Sequence, residues 1–184
     1  PLAEQTVRLK VAAGASLEWL PQETIYFEGC QASNRIEFDV EPGGTLVAWE
    51  IVCLGRLRSK ERFARGEAYQ SLSLESAGRL RWTERGRLAA GNRALASSVG
   101  LGGHPVFGTL LASAQELDAR LVAACRKSKP SIGEGAVTLL PDVLVARYLG
   151  SSAESARIYF SALWRVLRPA LVGREALDPR IWRT

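Results

Sequence analysis

Val7–Leu17, VRLKVAAGASL, and Ile36–Leu46, IEFDVEPGGTL, are two copies of one unit. In the first, Val7, Leu9 and Val11 alternate with Arg8 and Lys10; in the second, Ile36, Phe38 and Val40 alternate with Glu37 and Asp39. That is the period of a half-buried strand. A turn follows in each, Ala13-Gly14-Ala15 and Pro42-Gly43-Gly44, before an apolar run resumes at Leu17 and Leu46. Val7 aligns with Ile36, Val11 with Val40, Gly14 with Gly43 and Leu17 with Leu46, always 36 − 7 = 29 residues apart. A weaker third copy begins at Ser71, where Leu72 and Leu74 alternate, Ala77-Gly78 turns and Leu80-Arg81-Trp82 resumes. Such repeats predict stacked coils of a β-helix-like or layered β architecture. Three unrelated hairpins that share turn chemistry give the same pattern, and the residues alone leave both open.

The passage from Arg85 to Gly103 is glycine-rich and reads as loop, after which Val106–Leu111 recovers strand character. Ser113-Ala-Gln-Glu116 has the form of a capping box, so a helix is expected from there to about Lys127, with Leu117, Leu121, Val122 and Cys125 on one face. Ala136–Leu140 and Val143–Tyr148 read as two strands around a turn at Pro141-Asp142 or as one bent strand. A second box, Ser151-Ser-Ala-Glu154, opens a helix that turns Ala156, Tyr159, Phe160, Leu163, Trp164 and Leu167 inward, and Pro169 is expected to kink or stop it. The terminal ALDPRIWRT carries Ile181 and Trp182 and is expected to dock on the body.

With 184 residues, 47% hydrophobic and 23% charged, the chain has the composition of a globular protein with room for one sizeable core. One domain over residues 1–184 is the expectation. Three well-separated cysteines do not make a disulfide framework and fit a reducing, cytoplasmic setting. No apolar run has the length of a membrane span. The chain opens on Pro1 and contains no Met, as expected of a fragment whose beginning has been removed. Its charge of +5 has one dense contributor, Arg56–Arg65 (RLRSKERFAR). That run could steer an acidic partner or nucleic acid, but no nucleic-acid motif accompanies it, and a solvated loop is the favoured reading.

Signatures of catalysis are missing. His104, the lone histidine, lies in the turn Gly102-Gly103-His104-Pro105, and there is no CxxC, HxxxH or HExxH spacing. Neither a phosphate-binding glycine loop nor a GxSxG elbow occurs. What stands out chemically is Glu18, Glu23 and Glu28 around the apolar runs of LEWLPQETIYF (Leu17–Phe27), with Cys30 just beyond. Oxygen ligands in a loose set suit transient contact with a divalent cation. Read singly, each glutamate is better explained by the solvent face of a strand, and from the residues alone that reading is favoured.

LEWLPQETIYF, then Gly66-Glu67 after Arg62-Phe-Ala-Arg65, then Leu149-Gly150 with Glu154, Arg157, Phe160 and Trp164, then Leu167-Arg168-Pro169, Gly173–Ala176 (GREA) and Pro179–Trp182 (PRIW), resemble in order the UreD (UreH) family of urease accessory proteins. The resemblance implies a mainly β, β-helix-like stack of short strands with two α-helices in the C-terminal half. It implies a nonenzymatic maturation factor that binds UreF, through it UreG, and apo-urease, and that passes nickel(II) in transit with no permanent cofactor. An internal channel is the proposed nickel route in that family, which makes Glu18, Glu23 and Glu28 candidates for nickel passage. The C-terminal helix, with Arg157, Trp164 and Arg168, is the candidate partner-facing or packing element, its apolar residues being read as core. Family members carry a longer N-terminal section, absent here, so the first sheet edge is expected to be unpaired. Cys30 is not a position where the resemblance places a cysteine, so it is not assigned as a nickel ligand. The competing class is a basic protein- or nucleic-acid-binding module built on Arg56–Arg65.

Overall fold

The offset of 29 residues is a register in three dimensions. In the computed structural model, which describes residues 1–183, strand β1 (Ala3–Val11) pairs in parallel with β4 (Gln31–Val40), Val7 opposite Ile36 and Val11 opposite Val40. After the turn, β2 (Ser16–Trp19) pairs in parallel with β5 (Thr45–Leu54), Leu17 opposite Leu46. The two turns stack as well, the Gly14 N–H donating to the Gly43 carbonyl at 3.0 Å. The repeat is therefore one coil lying on the next, and each coil crosses from one sheet to a second.

The third copy takes another course. β6 (Glu67–Ser76) joins β4 in parallel, continuing the stack, but β7 (Arg79–Ala89) returns antiparallel along β6 in the same sheet. The turns explain the difference. Ala12–Ala15 and Glu41–Gly44 give the first two copies four residues in which to change sheet. Only Ala77 and Gly78 separate β6 from β7, both at positive φ (51° and 67°), the geometry of a two-residue hairpin.

The first sheet has the order β1-β4-β6-β7. The second has β2-β5-β8-β10-β9, with β8 at Val106–Ser113, β9 at Glu134–Leu139 and β10 at Leu144–Gly150, while β3 (Thr24–Tyr26) also pairs with β5. Between β2 and β3 the register shifts: Leu17 faces Leu46 (46 − 17 = 29) but Thr24 faces Val52 (52 − 24 = 28). Pro21-Gln22-Glu23 takes up the extra residue as an interruption in the strand. The hairpin of β9 and β10 around Pro141-Asp142 is the two-strand alternative of the sequence reading.

Strand β5 is buried on both faces, and its alternation sorts the core. Val47, Trp49, Ile51 and Cys53 face the helices with Phe160, Leu163 and Trp164; Leu46 and Ala48 face the first sheet with Phe38, Val40, Leu74 and Trp82. The helix layer consists of α2 (Ala119–Cys125) and α3 (Ala153–Val172); a single turn, α1 (Arg93–Ala96), lies in the glycine-rich loop. All six residues assigned to the inner face of α3 are buried. At Gly108 on β8 a Cβ would come within 2.8 Å of the Phe160 ring, so glycine there lets α3 sit close on the sheet.

Three helix boundaries differ from the sequence reading. Ser113 does not cap a helix: it ends β8, paired opposite Leu46, and its hydroxyl donates to the Asp142 carbonyl. Sheet pairing engages its backbone, and Asp118 caps α2 instead, accepting from the Leu121 N–H at 2.7 Å. The cap of α3 is Ser152, one residue later than read, and accepts from Ser155. Pro169 neither stops nor ends α3, because its ring lies on the exposed side while Leu167 and Leu171 stay buried; Gly173 at φ 68° closes the helix.

Candidate functional site

A polar layer crosses the space between the sheets. On the first sheet Gln5, Asn34 and Gln70 are successive register partners on β1, β4 and β6. On the second, Glu50, Thr109 and Arg147 are successive partners on β5, β8 and β10. These rows separate the apolar cluster of Phe38, Val40, Leu46 and Leu74 from that of Tyr26, Val52, Leu54 and Leu88.

Glu50 is the centre of the layer and only 3% exposed. Its Oε1 accepts from the Thr24 hydroxyl at 2.6 Å and from the Asn34 amide at 3.2 Å, and Asn34 in turn accepts from Gln5 at 3.3 Å. Burial pushes the Glu50 carboxyl up to about 7, against the downward pull of those two donors. Tyr26, beside it, has its phenol pushed up to about 12, first by burial and then by the charge on Glu50. The Tyr26 hydroxyl and the Gln70 Oε1 are buried without a hydrogen bond of good geometry. Buried polar atoms are otherwise nearly always satisfied, so a layer holding two such atoms beside a buried acid is a place for a polar guest. A void of about 10 Å³ lies among Glu50, Gln70, Glu84, Phe107, Gly108 and Thr109. At its far side Glu84 on β7 accepts from Thr109 at 2.9 Å and from Arg147 at 2.6 Å.

The sequence reading missed this layer, although one signal for it was present. Glu50 is the one acid in TLVAWEIVCL (45–54), and an acid inside a doubly buried strand requires partners. The remaining members are ordinary polar residues that become a set only through register. Among the described residues, no group of three or more His, Cys, Asp or Glu side chains is placed to hold a metal ion. The donors of the layer are two carboxylates with amide and hydroxyl oxygens, a set that binds a divalent cation weakly.

The residues singled out from the sequence lie elsewhere. Glu18 accepts from the Trp164 indole at 2.5 Å and, through both oxygens, from Arg168 at 3.0 Å. One predicted nickel-passage residue and two predicted partner-facing residues thus form a single clamp of α3 onto β2. Arg168 also donates to the Glu175 carbonyl, and Arg157 to that of Trp182. Trp182 packs 5.4 Å from both Trp49 and Trp164, so the terminal segment docks as expected; the Ile181 side chain lies outside the described residues. Trp49 donates to the Pro21 carbonyl at 2.8 Å. LEWLPQ and PRIW, far apart in sequence, meet in one tryptophan-rich junction.

Glu23 and Arg157 line one open cleft of about 550 Å³ at the start of α3, with Gln22, Arg56 and Ser152. Glu28 pairs with Arg65 at 3.1 Å, and Glu61 pairs with Arg56 at 2.5 Å, so acids neutralise two arginines of the basic run. The thiols of Cys30, Cys53 and Cys125 are free. No described helix is long and apolar enough to cross a membrane.

Fold and site together define a β-coil protein backed by helices, with a buried polar layer between its two sheets. Comparison with known proteins is specific: the family model described as UreD urease accessory protein matches residues 1–183. The chain belongs to this family. It is 48% identical over 183 residues to a protein of Nitrosococcus oceani named urease accessory protein UreD, covering 100% of this chain and 62% of that protein. A Pseudomonas fluorescens protein of the same name is 48% identical over 182 residues, covering 99% of this chain and 64% of that one. One from Azoarcus sp. is 45% identical over 177 residues, with 96% and 62% covered. The chain thus spans less than two thirds of the length of these relatives.

Proposed function

We propose that this chain is the working body of a noncatalytic urease-maturation factor in the cytoplasm. In this reading the full protein binds UreF, through it UreG, and apo-urease, and nickel(II) passes through it as cargo along the layer centred on Glu50. The observation that carries the proposal is Glu50, a buried carboxylate flanked by the unsatisfied Gln70 Oε1 and Tyr26 hydroxyl. Oxygen donors in a weak set favour release over storage. The relatives' shared name supplies the urease context.

Glu50→Gln in the full-length protein tests this. It should leave the UreF complex intact by pull-down while lowering the nickel content and activity of urease matured with it. Normal nickel loading by the variant would remove the layer from the pathway. The competing module on Arg56–Arg65 predicts salt-dependent retention on DNA, which the acids on Arg56 and Arg65 argue against.

A further inference from the structure

We infer that the outer face of the first sheet is a docking surface for an extended, acidic segment of a partner polypeptide, one carboxylate of which seats between Arg35 and Arg85. The inference is independent of any passage along Glu50. On β4 and β6 the buried side chains Ile36, Phe38, Leu72 and Leu74 point toward the second sheet, so Arg35, Glu37, Ser71 and Ser73 point away from it. Neighbouring cations on this outer face are matched by acids: Arg8 pairs with Glu37 at 2.7 Å, Lys10 with Asp39 at 3.8 Å and Arg87 with Glu67 at 2.6 Å. One row breaks that rule. Register sets Arg35, Ser71 and Arg85 side by side on β4, β6 and β7, two cations with a serine between them and no acid.

Arg85 has no ion pair or side-chain hydrogen bond among the described residues. Arg35 stands 3.7 Å from one Glu37 oxygen, beyond hydrogen-bond distance, while Arg8 holds the other. Two strand spacings separate the Arg35 and Arg85 Cα atoms by about 10 Å, within reach of a single carboxylate placed over the Ser71 hydroxyl. An open trough of about 560 Å³ runs along β6 at this point, kept shallow-floored by Ser71 and Ser73, with Tyr69 toward one end and Leu80 toward the other. Its shape and charge select the occupant. The six steps along β6 from Tyr69 to Glu75, the residue opposite Leu80, span about 20 Å, the length of an extended heptapeptide. Tyr69 and Leu80 are 49% and 53% exposed, so apolar side chains on either side of the acid have surface to cover. Glu37 and Glu75 line the same trough and repel a continuous run of phosphates, which sets a polypeptide with one placed carboxylate above a nucleic acid.

The test follows the arginine Nε–H signals of the nitrogen-15-labelled full-length protein by NMR, those of Arg35 and Arg85 being identified by their loss in Arg35→Gln and Arg85→Gln. The probe is the capped peptide Leu-Thr-Glu-Thr-Thr-Thr-Leu. Both signals should shift on titration, and the same peptide with glutamine for glutamate should need an about tenfold higher concentration, the effect of losing a charge-assisted hydrogen bond. Arg85→Gln should weaken binding about fivefold as read at Arg35, whereas Arg120→Gln, which removes an exposed charge from α2, should leave it unchanged. Arg85→Lys keeps the charge without the fork, should fall between wild type and Arg85→Gln, and serves alone if the glutamine variant fails to fold by near-ultraviolet circular dichroism. No shift with the acidic peptide, equal responses to the two peptides, or equal effects of Arg85→Gln and Arg120→Gln overturn the docking surface. A stronger response to oligothymidylate assigns the face to nucleic acid, and one to sodium phosphate as strong as to the peptide assigns it to simple anions; either overturns the inference.

Discussion

Replacing Glu50 by glutamine should make the protein more stable at neutral and alkaline pH while impairing its task. The folded carboxyl titrates near 7, against an ordinary value of 4.5. Between those values the folded chain holds a proton that the unfolded chain has released, so wild-type stability falls as pH rises through this window. Below the window both states are protonated and the group contributes nothing. Above it the folded state carries the full cost of a buried charge, about 3 kcal/mol at 1.36 kcal/mol per pH unit. Glutamine keeps the shape and an oxygen for Thr24 or Asn34, and it has no charge to desolvate. The variant should therefore match wild type at about pH 4, below the window, and exceed it by up to about 3 kcal/mol at about pH 8, a rise in Tm of roughly 6–12 °C for a chain of this size. Thermal melts by circular dichroism across the window measure this directly. Parallel pH profiles for the two proteins would refute the reasoning, because they would mean that Glu50 ionises in the fold as it does in water. A gain in stability with a loss of urease activation would mark Glu50 as a charge retained for function.

Other substitutions probe the frame around the layer. Glu18→Gln weakens the clamp on Trp164 and Arg168 and should cost about 1–3 kcal/mol in urea unfolding, the range for charged hydrogen bonds left partly unsatisfied. Gly78→Val places a branched side chain at φ 67° in the hairpin of β6 and β7 and should destabilise by about 1–2 kcal/mol, whereas glycine-compatible Asn should cost less. Glu23→Ala, in the open cleft beside Arg157, should leave thermal stability unchanged within about 0.5 kcal/mol. If that variant still binds UreF but activates urease poorly, the cleft belongs to the nickel route. Loss of solubility instead would make Glu23 structural.

Local chemistry made much of the fold legible. Alternation in Val7–Val11 and Ile36–Val40 marks strands because side chains on a strand point to opposite faces. The repeat of 29 residues carried more, since equal coil lengths stack in register, and the same offset that aligns Val7 with Ile36 aligns Gln5 with Asn34. Where the turn shortened to Ala77-Gly78, the repeat stopped predicting topology, because two residues at positive φ close a hairpin and cannot carry the chain across to the other sheet. Ser113 shows the opposite limit: a correct local capping pattern lost to the pairing of a buried strand.

The site depended on distance along the chain. Glu18, Glu23 and Glu28 stood out because they are close together in sequence, yet β2, the interruption at Pro21–Glu23 and the end of β3 send them to a clamp, a cleft and a surface ion pair. Glu50 meets Asn34 from 16 residues away, Arg147 meets Glu84 from 63, and Arg168 meets Glu18 from 150. By itself the sequence determined the alternation that marks the strands, the 29-residue offset and the family, because these are written in short-range pattern, a fixed repeat and colinear motifs; that the copies stack as coils was decided by the parallel pairing of β1 on β4 and β2 on β5. Which polar residues face one another across the two sheets was decided only by the tertiary structure, since that pairing follows from how the sheets stack, and no local signal encodes it.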